Sequence, residues 1–324
     1  MSFIEVRNLC KDYKIKIVEP GLAGAFKSLF RGKYKVKEAV KNIDFNIEEG
    51  EIVGYIGPNG AGKSTTLKML SGILIPSSGE AAVNGIIPYK NRKENSRHIG
   101  VVFGQRSQLY WDLPVSDTFE LYENLYDIPK ETFQKNKKFY IDLFDMGDFI
   151  NQPVRQLSLG QKMKANIAIA LMHDPYVLYL DEPTIGLDVT SKKILRESIK
   201  LINKEKNTTI MLTTHDMDDI EAVCHRLIMI DKGQKLFDGT LEAFRSKFED
   251  GFILKLEFEN STPDWVEAEG FSLVEHDPHI WIIKVNGHST RNAMIEMIRK
   301  YDPTNIYVQE QRIDDIVRSA FVNT

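Results

Sequence analysis

Residues Gly57 to Thr65 read Gly-Pro-Asn-Gly-Ala-Gly-Lys-Ser-Thr and follow directly on the apolar run Ile52-Val53-Gly54-Tyr55-Ile56. A buried strand, a glycine-rich turn and a helix with apolar residues at Leu67, Leu70 and Ile73 open a βα unit. The spacing is G-x-x-x-x-G-K-[ST]. Gly57, Gly60 and Gly62 lack the Cβ atoms that would stop a backbone curling round phosphate oxygens, and Pro58, Asn59 and Ala61 complete the turn. Lys63 is positioned to reach β- and γ-phosphates, Ser64 offers a hydroxyl to Mg²⁺, and the helix opening at Thr65 aims its positive end at the anion. The segment therefore implies chemistry on a nucleoside triphosphate.

At 324 residues the chain exceeds what a single core usually takes, so a main nucleotide domain plus a smaller one is expected. A net charge of -4 gives no global basic footprint for nucleic acid, leaving only local patches. Cys10 and Cys224 lie far apart without metal-ligand spacing, which suits a reducing compartment rather than a disulfide framework. No apolar stretch approaches the roughly 20 residues needed to cross a bilayer, and Met1 to Glu5 lacks a signal-peptide layout. The chain is expected not to span a membrane by itself.

The pattern predicts an edge strand over Phe3 to Cys10, and a strand pair from Ile43 to Ile47 and Ile52 to Ile56 turning through Glu48-Glu49-Gly50. Between them, Lys14 to Glu38 carries seven Lys or Arg against two Glu, with Leu22, Phe26, Leu29 and Phe30 at helix-compatible spacing. Such a segment suits a short surface helix, or contact with a membrane or an acidic partner. Ile99 to Phe103, Val177 to Leu180 and Ile210 to Thr213 fit buried parallel strands. The stretch from Asp117 to Leu171 reads mostly helical, Asp216 to Cys224 opens another helix, and Arg226 to Ile230 with Gln234 to Asp238 reads as a hairpin. Past Phe248 the alternation of Phe252, Leu254, Leu256 and Phe258 with charged residues marks a separate β-rich appendage. It continues with a strand from His279 to Val285, a helix capped by Ser289, a strand from Ile306 to Val308 and a last helix from Ile313 to Phe321.

Four further elements narrow the chemistry. Val177 to Asp181 ends a buried strand on a carboxylate able to hold Mg²⁺, and Glu182, one residue on, can accept a proton from an attacking water. Ser158, in Leu157-Ser158-Leu159-Gly160-Gln161, stands at a helix start, where its hydroxyl and the unpaired N–H groups make a second anion site remote in sequence from the first. His215, just after a strand, can donate to a γ-phosphate oxygen or hold the water. Gln105, after Val102-Phe103-Gly104, carries an amide that can touch Mg²⁺ or water.

In this order the motifs resemble the ATPase subunit of an ABC (ATP-binding cassette) system over about residues 1 to 245. The resemblance implies Walker A at Gly57 to Thr65, a Q-loop at Gln105, a signature at Leu157 to Gln161, Walker B at Val177 to Asp181, a D-loop around Gly186-Leu187-Asp188 and a switch histidine at His215. It implies an α/β fold: a P-loop NTPase core with an antiparallel β subdomain and a helical subdomain inserted at about 106–172, followed by a small α+β C-terminal domain over 246–324. ATP with Mg²⁺ is the implied ligand, and a head-to-tail homodimer or heterodimer the implied assembly, each ATP lying between one subunit's Walker A and the other's signature. Leu159 stands where the family more often has glycine. The adenine-stacking aromatic is Tyr13 counted from the N-terminus or Tyr34 counted back from Walker A; Tyr13 is preferred.

The single cassette, the run from Gly104 to Pro114 and the C-terminal appendage are similar to type-2 ABC exporter ATPases of the drug and polysaccharide export group. That likeness implies separate transmembrane permease subunits, a peripheral location on the cytoplasmic face of the membrane, and Trp111 and Leu113 as candidates for the contact surface. No nucleic-acid partner is expected. One rival is an ABC ATPase acting on nucleic acid or ribosomes, whose members carry long coiled-coil insertions or two cassettes. Another is a nucleotide-binding regulator that does not hydrolyse, against which Lys63, Asp181, Glu182 and His215 all speak.

Overall fold

The computed structural model describes residues 2–17, 33–104, 107–249 and 251–322. In chain order they form β1 (Ser2–Ile17), β2 (Lys33–Glu48), β3 (Ile52–Ile56), α1 (Lys63–Leu70), β4 (Ser78–Val83), α2 (Arg92–His98) and β5 (Ile99–Phe103). There follow α3 (Val115–Leu125), α4 (Lys130–Leu143), a 3₁₀ turn (Val154–Gln156), α5 (Leu159–Leu171), β6 (Val177–Asp181), α6 (Val189–Lys206), β7 (Thr209–Thr213) and α7 (Met217–Val223). The remainder is β8 (Arg226–Asp231), β9 (Gln234–Thr240), α8 (Leu241–Phe248), β10 (Phe252–Glu257), β11 (Phe271–His276), β12 (Ile280–Val285), α9 (Thr290–Tyr301), β13 (Asn305–Gln309) and α10 (Ile313–Val322). Among the described residues no helix is long and apolar enough to cross a membrane.

A six-stranded sheet in the order β5-β6-β7-β3-β8-β9 is parallel except for β9, which returns antiparallel along β8. Strand β3 is buried at every residue, as are all five positions of β7, which explains why both read as unbroken apolar or small runs. The strand that comes first in this sheet lies between β7 and β8, so the chain exits β3 where the connections diverge, at the carboxyl edge where ligands bind in open parallel sheets. A second sheet, β2-β1-β4, is antiparallel and shares its core with the first: Ile4, Val6, Ile43 and Ile47 pack with Val53, Tyr55 and Ile228.

Two sequence expectations change here. The segment Phe3 to Cys10 is no edge strand but part of the central strand of its sheet, paired on one side with β2 and on the other with β4. Ile43 to Ile47 and Ile52 to Ile56 do not pair with each other; β2 stays in the antiparallel sheet and β3 crosses into the parallel one. A two-residue turn looks the same in sequence whether the strands fold together or part company, because the choice is made by the partners each strand finds. The flanks of the basic insertion are strand as well: Tyr13 pairs with Lys37, Ile15 with Lys35 and Lys16 with Tyr34. The helix expected around Leu22 to Phe30 lies outside the described residues.

Helices α3, α4 and α5 follow one another between β5 and β6, where the sequence predicts an inserted helical subdomain. Helix α5 is buried from Ala165 to Leu171, and each fully buried Ile or Leu there contributes about 1.5–3 kcal/mol. Asn166 on the same helix turns inward and accepts the N–H of Gln108 at 2.8 Å, tying the segment after β5 to α5.

The contacts divide the chain into Met1–Thr240 and Leu241–Thr324, ahead of the 245/246 boundary read from sequence. Within the second unit an antiparallel sheet, β11-β12-β10-β13, packs Leu254, Leu256, Trp281 and Ile283 on Ala293 and Met297 of α9. Trp265 and Tyr301 close on Trp281 at ring distances of 5.2 and 4.8 Å. Helix α8 packs against α10, with Phe244 fully buried, so its residues belong with this unit.

A nucleotide cleft at the carboxyl edge of the parallel sheet

Register brings the candidate residues together. Phe103 of β5 stands level with Asp181 of β6, and Asp181 level with Thr213 of β7, so the chain segments that leave the three strands emerge side by side. The backbone N–H of Gly104 donates to the Asp181 carbonyl at 2.8 Å. Gln105 itself lies outside the described residues.

The loop from Gly57 to Gly62 is shaped by contacts that exclude a side chain. A Cβ at Gly57 would stand 2.3 Å from the Ile230 carbonyl oxygen, and one at Gly62 2.6 Å from that of Ala39. Gly62 also adopts φ of 113°, which disfavours any residue with a Cβ. Gly62 serves as the N-cap of α1 with no side chain bonded to the first turn, and no acidic residue sits there. The open N–H groups and the helix dipole therefore face an anion unopposed. Lys63 is almost wholly buried and its Nζ donates to the Gly57 carbonyl at 2.6 Å. Burial lowers its pKa, an effect opposed by the charges of Glu182 and Asp181.

Beneath the loop, the Ser64 hydroxyl donates to Asp181 Oδ1 at 3.2 Å, and the Thr213 hydroxyl donates to the same oxygen at 2.6 Å. Glu182 is held in the left-handed region at φ of 54°, a conformation that costs a non-glycine residue of order 1–3 kcal/mol. Its N–H is anchored on the Thr213 carbonyl at 2.9 Å, which turns its side chain toward the loop. His215 Nδ1 lies 3.6 Å from Glu182 Oε1 and the imidazole is exposed. Sequence reasoning singled out Asp181, Glu182 and His215 but missed Thr213, which touches both acidic residues; its place in Thr213-Thr214-His215 was the available signal. It also missed Asp219, buried and bound by the hydroxyls of Thr184 and Thr214 and by Arg196, a network that ties the segment after β6 to the one after β7.

A cleft of about 520 Å³ runs from this loop to the β1/β2 ribbon, and Tyr13, Lys37, Asn59, Gly60, Lys63 and Glu182 are among the residues that line it. Tyr13 is therefore on the cleft, whereas Tyr34 is largely exposed and is not among its lining residues. An adjoining cleft of about 360 Å³ is lined by Ser64, Gly104, Asp181 and Glu182.

The residues Ser158, Gly160 and Gln161 line neither cleft. They form the start of α5 as a closed capping box: the Ser158 hydroxyl accepts the Gln161 N–H at 3.2 Å, and Gln161 Oε1 accepts the Ser158 N–H at 2.9 Å. A Cβ at Gly160 would meet the Ser191 hydroxyl at 2.8 Å, and Leu159 lies against Gly186, where a Cβ would come within 2.9 Å of it. Asp188 caps α6 through Ser191. Trp111 and Leu113 are exposed, and Lys162 Nζ sits 4.8 Å from the Trp111 ring centre.

The profile of the ABC transporter family matches residues 40–185. The ABC transporter ATP-binding protein NatA of Bacillus subtilis is 37% identical over 214 residues, which is 66% of this chain and 87% of that protein. The linearmycin resistance ATP-binding protein LnrL of the same organism is 33% identical over 223 residues, 69% of this chain and 71% of the relative. Among solved structures, the dimeric, ADP- and Pi-bound post-hydrolysis cassette MJ0796 superposes with a TM-score of 0.61 at 26% identity, covering 74% of this chain and 98% of that one. CbiO1 of Clostridium perfringens, part of the transporter complex CbiONQ, gives 0.62 at 27% identity, covering 76% and 92%. With its phosphate loop, its acidic strand end and these likenesses, the chain belongs to the ABC transporter family as an ATP-binding, ATP-hydrolysing cassette.

Proposed function

We propose that the protein is the motor of an exporter, hydrolysing ATP between two cassettes and passing the resulting movement to separate membrane subunits. The observation that carries the hydrolytic step is the strained, anchored Glu182, which lines one cleft with Lys63 and stands 3.6 Å from His215. The triphosphate lies on the open N-terminus of α1, Lys63 neutralises the β- and γ-phosphates, and the base stacks on Tyr13. Glu182 takes a proton from water as its oxygen attacks the γ-phosphorus; the bond to the β–γ bridging oxygen breaks, leaving ADP and phosphate. His215 and Gln105 hold the γ-phosphate and the water. Pro58, Asn59, Ala61 and Thr65 complete the phosphate cradle.

The hydroxyl of Ser64 and the carboxylate of Asp181, which already share a hydrogen bond, are hard oxygen donors suited to Mg²⁺, with Gln105 as a third. When bound, Mg²⁺ would offset charge on the β- and γ-phosphates.

The second cassette supplies Ser158, Gly160 and Gln161 to the γ-phosphate of the first. The dimeric form of MJ0796 supports that assembly, as does the absence of these three residues from the cleft lining of one chain. ATP then favours the closed dimer and its loss favours the open one, and this difference is the work delivered to the membrane partner. The exposed Trp111 and Leu113 are the surface offered to the membrane subunits, and this reading puts the protein at the cytoplasmic face of the membrane. The export direction draws on LnrL, named for antibiotic resistance.

Glu182→Gln should lower steady-state ATP hydrolysis by about 10²-fold or more while retaining ATP binding, and the ATP-loaded variant should sediment as a dimer. Hydrolysis at the parental rate would refute the role of Glu182, and a monomeric ATP-loaded form would refute the shared site.

A further inference from the structure

The cleft is lined not only by the phosphate loop but by the ribbon that extends β1 and β2 beyond Ala39, and that ribbon brings a charge the reaction does not use. Lys37 lies directly opposite Tyr13 in the antiparallel register. Opposite residues of such a pair share a face with Cβ atoms about 4.5–5.5 Å apart, so the lysine and the tyrosine look into the cleft together. Two residues along β2, at the irregularity where the pairing shifts between Lys11 and Asp12, comes Ala39, whose carbonyl oxygen is the atom that a Cβ at Gly62 would strike. The strand thus acts as a ruler. One end touches the last glycine of the phosphate loop, and Lys37 stands about 7 Å further out, beside the ring proposed to carry the base.

Two neighbouring cations already donate to backbone carbonyls. Lys11 donates to the Ile75 carbonyl at 2.7 Å, and Lys63 to that of Gly57. Lys14 also lines the cleft, but it stands opposite Val36, whereas Lys37 stands opposite Tyr13. Among the described residues Lys37 is paired with no carboxylate, whereas Glu38 next to it is held by Lys41. Among the described residues the one carboxylate on the cleft lining is that of Glu182, at the phosphate end.

We infer that Lys37 is a nucleotide-binding residue that contacts the α-phosphate, bridging the gap between the phosphate loop and the aromatic base platform. This rests on the nucleotide reading of the cleft. The four-carbon stem reaches from the ribbon toward the segment of nucleotide between base and β-phosphate, and the ammonium supplies a charge-assisted hydrogen bond there. Because the α-phosphate is common to ATP and ADP, Lys37 raises the affinity of both alike, unlike a group that senses the γ-phosphate.

Calorimetric titration of the full chain with ATP, ADP and adenosine, at low and high salt, tests this. Lys37→Gln should weaken ATP and ADP by the same factor, about five- to tenfold, leave adenosine unchanged and flatten the salt dependence. Lys37→Arg should restore most of the loss, and Lys16→Gln, opposite Tyr34, should match the parental protein. Parental affinities for ATP and ADP in Lys37→Gln, or a loss that extends to adenosine, would overturn the inference. If the parental chain binds none of the three, the nucleotide reading itself falls, an outcome separate from the failure of Lys37 alone.

Discussion

Two helix starts in this molecule are offered by the sequence to anions, and the structure finishes them differently. Helix α1 begins on Gly62 with no side chain on its first N–H groups, whereas α5 begins in a capping box that satisfies Ser158 and Gln161 within the chain. An uncapped helix start leaves donors ready for a ligand, while a closed box must exchange an existing bond for a new one. The phosphate loop is thus complete in a single copy, and its walls are set by backbone contacts at Gly57 and Gly62 that no side chain could replace. The signature segment is complete as structure but not as a site. On the proposed assembly its partner comes from the second cassette, so nucleotide binding and assembly should be separable by mutation.

The largest expected effect breaks the open end. Lys63→Ala removes a buried ammonium aimed at the phosphate loop and should weaken ATP binding by roughly a hundredfold, close to 3 kcal/mol, in fluorescence titrations. Ser158→Ala should leave the first ATP affinity of the isolated chain within twofold or so, since Ser158 is remote from the cleft lining. Comparable losses in both variants would erase the distinction between the two helix starts.

An acid titration sharpens the contrast at the far end of α5. There His173 stacks on Tyr126 at 4.1 Å, donates through Nε2 to the Ile99 carbonyl at 3.1 Å and leaves Nδ1 without a partner. Burial holds its pKa down to about 4, partly offset by the bond to Ile99 and the charge of Asp174. The unfolded chain takes up this proton near the ordinary value of 6.5, so stability is full above that pH and falls as pH drops from about 6.5 to 4. The loss should approach about 3 kcal/mol at most. Denaturant melts across that window should show a shallower slope in His173→Gln than in the parental chain, and equal slopes would dismiss the assignment.

The smallest effect is on folding. Ser158→Ala should cost about 1 kcal/mol of stability by opening the capping box, read as a lower urea midpoint with an unchanged slope. No such cost is open to α1, which has no side-chain cap to lose.

Legibility followed the range over which each feature is decided. The phosphate loop, the acidic strand end at Asp181-Glu182 and the cap at Ser158 were readable because each is set by residues adjacent in sequence. Asp219 was not, because its role arises from segments that meet only after folding, and Thr213, though two residues from His215, meets Asp181 only once β6 and β7 pair. The turn at Glu48-Glu49-Gly50 misled for a related reason: the local signal marks a reversal, while β1 and β7 decide which sheet each strand joins. Tyr13 and Tyr34 could not be separated by counting, since the basic insertion blurs the distance from either end, yet register puts only Tyr13 on the cleft.

By itself, then, the sequence determined the chemistry: a glycine-wrapped loop, a lysine, a hydroxyl and two carboxylates in an order that serves a nucleoside triphosphate. Tertiary structure decided the geometry in which those groups act. Parallel pairing set Phe103, Asp181 and Thr213 at one level, the left-handed turn at Glu182 aimed its carboxylate, and the ribbon brought Tyr13 and Lys37 across the cleft. The reason is that side-chain type is a local property, while distance and desolvation depend on which distant segments pack together.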